Sequence, residues 1–169
     1  MTIARLSSLA FVVAAAAAVS GWVGMSAPVL AQTKQAAQSK PSKPTAGAQH
    51  KVAIQVNQND KAVMDLALNN AKNIADYFKA KGETVAIELV AYGPGLHMLR
   101  SDTSPVKDRI SVMSLENPNM TFAACGNTQT NQAKAENKPV TLIGEAKVTP
   151  SGVVRLMELQ KQGYAYIRP

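Results

Sequence analysis

Cysteine is almost absent. Cys125 is the only one in 169 residues, so no disulfide can close within the chain and the fold is not a cystine-stapled scaffold. Histidine is nearly as scarce, with only His50 and His97. One cysteine and one histidine in the part expected to fold cannot complete a closed zinc site from a single chain, although a symmetric oligomer could assemble ligands from several copies. No glycine-rich nucleotide fingerprint occurs. Tyr92-Gly93-Pro94-Gly95 has neither the spacing nor the lysine of a phosphate loop. No Ser-His-Asp set, carboxylate pair or membrane-length apolar run stands out beyond the first two dozen residues. No metal and no cofactor is called for.

The formal charge of +7 does not imply nucleic acid as a partner. Arg5, Lys34, Lys40 and Lys43 precede the part expected to fold, where 14 basic residues face 11 acidic ones. Those 14 form no stripe with interleaved aromatics, and aromatics make up only 5% of the chain.

Three segments are expected. A short positive start, an Ala/Val/Leu-rich run over residues 6–23 and the Val29-Leu30-Ala31 triplet predict a signal peptide over 1–31, cleaved before Gln32. An uncleaved anchor is the competing reading. Export places the mature chain in an oxidising compartment, most simply a periplasm, with no stable membrane insertion after cleavage. Residues 32–50 hold two prolines and no large apolar side chain, which predicts a disordered tether. Residues 51–169 have the size of one domain with one core.

Strand and helix alternate through that domain. Lys51–Val56 is β-branched-rich and reads as a first strand. Val63, Met64, Ala67, Ala71, Ile74, Ala75 and Phe78, widened by Leu66 and Leu68, give a helical stripe that Gly82 ends. The near-continuous apolar run from Thr84 to Tyr92 predicts a strand buried on both faces, hence parallel. Ser104-Pro105 reads as cap and first position of a second helix burying Val106, Ile110 and Met113. Met120–Ala124 is a third strand, 127–137 a polar helix that Asn127 or Thr128 could cap, and Val140–Ile143 a short fourth strand. A last helix opens at Pro150 or Ser151, Gly163 closes it, and Tyr164–Ile167 is a fifth strand. The pattern predicts a parallel sheet with helices on both faces.

Three strings carry more: Tyr92-Gly93-Pro94-Gly95-Leu96-His97-Met98-Leu99, Phe122-Ala123-Ala124-Cys125-Gly126-Asn127-Thr128, and the closing run that begins Gly152-Val153-Val154-Arg155. In that order they resemble the DsrE/DsrF-like family of small sulfur-relay proteins over 51–169. The Ala-Cys-Gly-Asn-Thr and Gly-Val-Val-Arg segments are the specific parts. The resemblance implies a three-layer α/β/α fold with a five-stranded, mostly parallel sheet, assembled as trimers or hexamers. It also implies that sulfur can ride as a persulfide on a cysteine, for which Cys125 is the one position available. The best-known sulfur-relay members work in the cytoplasm, so their donors and acceptors do not carry over to an exported chain.

Cys125 falls where an apolar strand meets a turn and a helix, at the edge of an α/β sheet where ligands collect. A free thiol titrates at about 8.5, and a helix N-terminus or a nearby cation lowers that. Asn127 would present helix amides to the sulfur, and Gly126 would let a donor approach without a Cβ in the way. His97 could share that edge and, protonated, favour the thiolate; a solvent-facing histidine is the other reading. Arg100 could hold an anionic donor such as thiosulfate, or simply be solvated. His50 is assigned to the tether without a role. The expectation is a periplasmic sulfur-relay protein loading Cys125, exchanging sulfur with donor and acceptor proteins or small sulfur compounds. The alternatives are a cysteine that merely packs, and a non-catalytic oligomeric module binding a small ligand or a redox partner.

Overall fold

The computed structural model describes residues 48–169. The expected leader, and the tether as far as residue 47, lie outside the described residues. Five strands form one sheet: β1 (His50–Val56), β2 (Val85–Ala91), β3 (Met120–Cys125), β4 (Ala146–Thr149) and β5 (Ala165–Ile167). Their order is β4-β3-β2-β1-β5, and every pairing is parallel. Helices α1 (Lys61–Ala80), α2 (Lys107–Glu116), α3 (Gly126–Glu136) and α4 (Gly152–Lys161), with a 3₁₀ segment at Gly93–Leu99, complete the alternation. The result is the expected α/β/α sandwich.

Side-chain alternation divides the core. Ile54, Leu89 and Phe122 point to one face and pack with Met64 and Leu68 of α1, the 3₁₀ segment, and Ile110 and Met113 of α2. Ala53, Ala86, Val90 and Ala123 point to the other and meet Leu156 and Leu159 of α4 with Tyr164. Alanines at three of those four positions let α4 come close to the sheet. Each buried leucine contributes roughly 1.5–3 kcal/mol. β2 is buried along its whole length, as its apolar run predicts. Because all strands run the same way, Val56, Ala91, Cys125, Thr149 and Ile167 end on one rim.

Four local readings need correction. His50 opens β1 instead of ending a tether: its ring stacks on Phe78 at 3.9 Å and Nε2 lies 2.8 Å from the Glu83 carboxylate. The fourth strand is Ala146–Thr149, not Val140–Ile143. The apolar run instead docks beside Arg100, with the Ile143 amide donating to the Leu99 carbonyl at 3.0 Å. As an edge strand β4 is mostly unburied and needs no apolar pattern, which is why the sequence hides it. Ser104 does not cap a helix beginning at Pro105. Its hydroxyl accepts the Val106 amide at 3.3 Å, as a capping side chain does, and donates to the Met98 carbonyl at 2.5 Å, but α2 begins only at Lys107. Leu68 widens the buried stripe of α1 whereas Leu66 is exposed.

The Gly-Pro-Gly turn does more than reverse the chain. Gly93 sits at φ +54, and Gly95 lies against the end of β1. A Cβ on Gly95 would sit 2.7 Å from the Asn57 amide nitrogen and closer still to the Val56 carbonyl, both backbone atoms that cannot swing aside. Gly95→Ala is therefore expected to cost about 1–3 kcal/mol, read as a lower urea midpoint. An unchanged midpoint contradicts the close approach.

Candidate functional site

Cys125 ends β3 and is at the same time the N-cap of α3. The Thr128 amide donates to its Sγ at 3.4 Å. By strand alternation the side chain shares the face of Ala123, the face covered by α4. From that side the amide of Gly152, the first residue of α4, also favours the charged form of the sulfur. Two helix N-termini thus converge on one thiol. Burial, the largest single influence, pushes the thiol up. The Thr128 hydroxyl and the amides of Gly152, Thr128 and Asn127 outweigh it, and the net displacement is downward. The residue is only 4% exposed, so the sulfur is primed but covered.

Thr128 was legible in the sequence only as a possible helix cap. In the structure its Oγ1 accepts the Gly93 amide at 2.9 Å, which leaves its own proton for the sulfur. Thr128 therefore links the Gly93 turn to Cys125. The signal available in the sequence was a hydroxyl residue three positions after the cysteine, the spacing of a side chain in the first turn of a helix.

The other expected site residues take different roles. Asn127 acts through its backbone, which also donates to the Pro150 carbonyl at 3.2 Å; its side chain is exposed. Gly126 does not open a path to the sulfur. A Cβ there would meet Val148 Cγ1 at 3.1 Å and the Thr149 carbonyl at 3.3 Å, so its smallness serves packing against β4. His97 is half-buried in a rim cleft of about 470 Å³, lined also by Asn59, Pro94, Thr128, Asn131 and Gln132. Its Nδ1 pairs with Thr103 Oγ1 at 2.9 Å, and it is not among the groups that act on the sulfur.

Arg100 is no open receptor for an anionic donor. It is 1% exposed, and its guanidinium is held by Asp102 at 2.9 and 2.8 Å, by Gln132 at 3.2 Å and by both carboxylate oxygens of Glu136. Hydrogen bonding from Arg100 holds Glu136 down to about 2 and Asp102 lower still. Depressed carboxylates stabilise the folded state above their ordinary range, so this cluster loosens only as the pH falls from that range towards about 2. Among the described residues no group of three His, Cys, Asp or Glu is placed to hold a metal ion. No described helix is long and apolar enough to cross a membrane.

No family model and no curated protein matches the chain. A solved structure does: the protein of unknown function MTH1491 from Methanobacterium thermoautotrophicum is 30% identical, with a TM-score of 0.59. The match spans 71% of this chain and 99% of that one.

Proposed function

The chain belongs to the same family as that methanobacterial protein, and on the surroundings of its one thiol we propose that it carries sulfane sulfur as a persulfide on Cys125. The observation that supports the reading most is the convergence of the α3 and α4 amides and the Thr128 hydroxyl on Sγ, which favours the thiolate despite burial. The chemistry balances without an oxidant. The thiol gives its proton to solvent and the thiolate attacks the outer sulfur of a donor such as thiosulfate. The donor's S–S bond breaks and sulfite leaves with the electron pair. An acceptor thiolate then attacks the outer persulfide sulfur, and Cys125 departs as thiolate. With no second cysteine in the chain, an internal disulfide cannot discharge the sulfur. The resemblance to DsrE/DsrF-like proteins points the same way, and the expected leader sets the exchange in the periplasm.

Assembly into trimers or hexamers belongs to the same reading. The α4 face carries a single helix and leaves Val153, Val154 and Met157 of α4 and Tyr166 of the edge strand β5 exposed. Sedimentation at the monomer mass counts against assembly.

The test of sulfur carriage is mass spectrometry of the mature protein after incubation with polysulfide or thiosulfate. One added sulfur, removed by a small thiol and blocked by prior alkylation, is expected. No gain under conditions where the thiol does alkylate overturns the reading. A second reading, a non-catalytic module for a small ligand or redox partner, draws on the rim cleft and the covered sulfur. It predicts binding that survives alkylation of Cys125.

A further inference from the structure

Helix α3 has no buried residue, and its only apolar side chains are Ala133 and Ala135. Eleven residues is below the length at which isolated helices are stable in water, and this one gains almost nothing from apolar burial. Polar bonds must hold it. Near its start Thr128 takes the Gly93 amide, Gln129 donates to the Val140 carbonyl at 2.8 Å, and Gln132 donates to the Gly93 carbonyl at 3.3 Å. At its end Arg100 grips Gln132 and Glu136. Glu136 is the last helical residue, where the helix dipole disfavours an acid; a buried guanidinium offsets that. Lys138 adds contacts to Asp102 at 3.3 Å and Glu136 at 3.4 Å. A buried arginine thus ties the exposed helix to the 3₁₀ segment from below.

We propose that Arg100 is a positioning residue, a latch that clamps the last turn of α3 through Glu136 and Gln132 and so fixes where the first amides of that helix and Thr128 meet Cys125 Sγ. The helix is a rod of about 16 Å, so a shift allowed at its far end moves its first turn as well. The inference rests on the sulfur-carrier reading only for its consequence; the latch itself is a statement about α3.

Arg100→Met, which replaces the guanidinium with an unbranched apolar chain, and the surface variant Glu136→Gln test it. Two measurements decide: the pH profile of Cys125 alkylation by iodoacetamide, and hydrogen exchange at the Asn127 and Thr128 amides. Thr128→Val, which removes the hydroxyl at the sulfur directly, is the positive control. In Arg100→Met the thiol should titrate about one unit higher, with alkylation at neutral pH roughly tenfold slower and faster exchange at both amides. Glu136→Gln should move both readouts the same way by less. Should Arg100→Met fail to fold, Glu136→Gln alone decides. Folded variants whose alkylation profile and amide exchange both match wild type overturn the latch. A wild-type thiol that titrates like free cysteine removes the carrier reading instead, and amide exchange then decides the latch on its own.

Discussion

Cys125→Ser is expected to abolish sulfur loading while leaving the domain folded. The cysteine has two separable roles, as the only atom able to bear a sulfane sulfur and as the N-cap of α3. Serine keeps the second: its oxygen can accept the Thr128 amide, and serine is among the preferred capping residues. The stability change should stay within about 1 kcal/mol. The first role is lost entirely, because a hydroxyl at neutral pH does not attack sulfur and forms no persulfide. Intact mass after polysulfide treatment and a urea unfolding curve check the two halves together. A serine variant that still gains sulfur would place the adduct elsewhere and remove Cys125 from the chemistry. A variant that unfolds would make the cysteine a packing residue first. Ligand binding that is indifferent to the substitution would favour the binding-module reading.

The parts of the fold legible in the sequence are those where burial imposes a pattern. β2 is buried on both faces, so its run is apolar throughout; α1 buries one stripe, so its apolar residues recur at three and four. β4 escapes because it is barely buried. It is an edge strand with only Thr149 buried, whereas α3 reads as a polar helix in the sequence but is held by side-chain bonds whose partners lie far away along the chain. The same distinction runs through the site. That Cys125 stands where a strand gives way to a helix could be read from neighbouring residues; that the helix is capped by neither Asn127 nor Thr128 but by the cysteine itself could not. That the Gly152 amide also reaches it could not, because the contact depends on α4 crossing the opposite face of the sheet. Arg100 shows the limit most plainly. In sequence it is an arginine after a turn, and only the fold brings Glu136 to it across 36 positions.

The pair beneath α4 carries the largest expected loss of stability. Glu88 interrupts the apolar run of β2, and a carboxylate there requires a buried partner. Arg155 supplies it from α4 as a two-pronged contact, Nε to Oε1 at 2.6 Å and Nη2 to Oε2 at 2.7 Å, with both side chains about 6% exposed. Hydrogen bonding to Glu88 raises the arginine further, so the guanidinium stays charged. Removing one partner strands the other charge. Arg155→Ala should therefore cost about 3–5 kcal/mol and lower the melting temperature by roughly 10–20 °C. Replacing both together, Glu88→Leu with Arg155→Leu, removes two desolvated charges at once and should recover most of that loss, since a well-packed apolar pair is often no less stable than a buried ion pair. The double-mutant cycle separates pairing from packing. A double variant as unstable as Arg155→Ala alone would mean that the guanidinium acts through its stem against the sheet and not through its charge. Arg155 lies three residues beyond Gly152 on the first turn of α4, so the pair also anchors the turn whose amide reaches Cys125. Loss of the pair should free that amide along with the helix, and restoring packing without charge should seat it again.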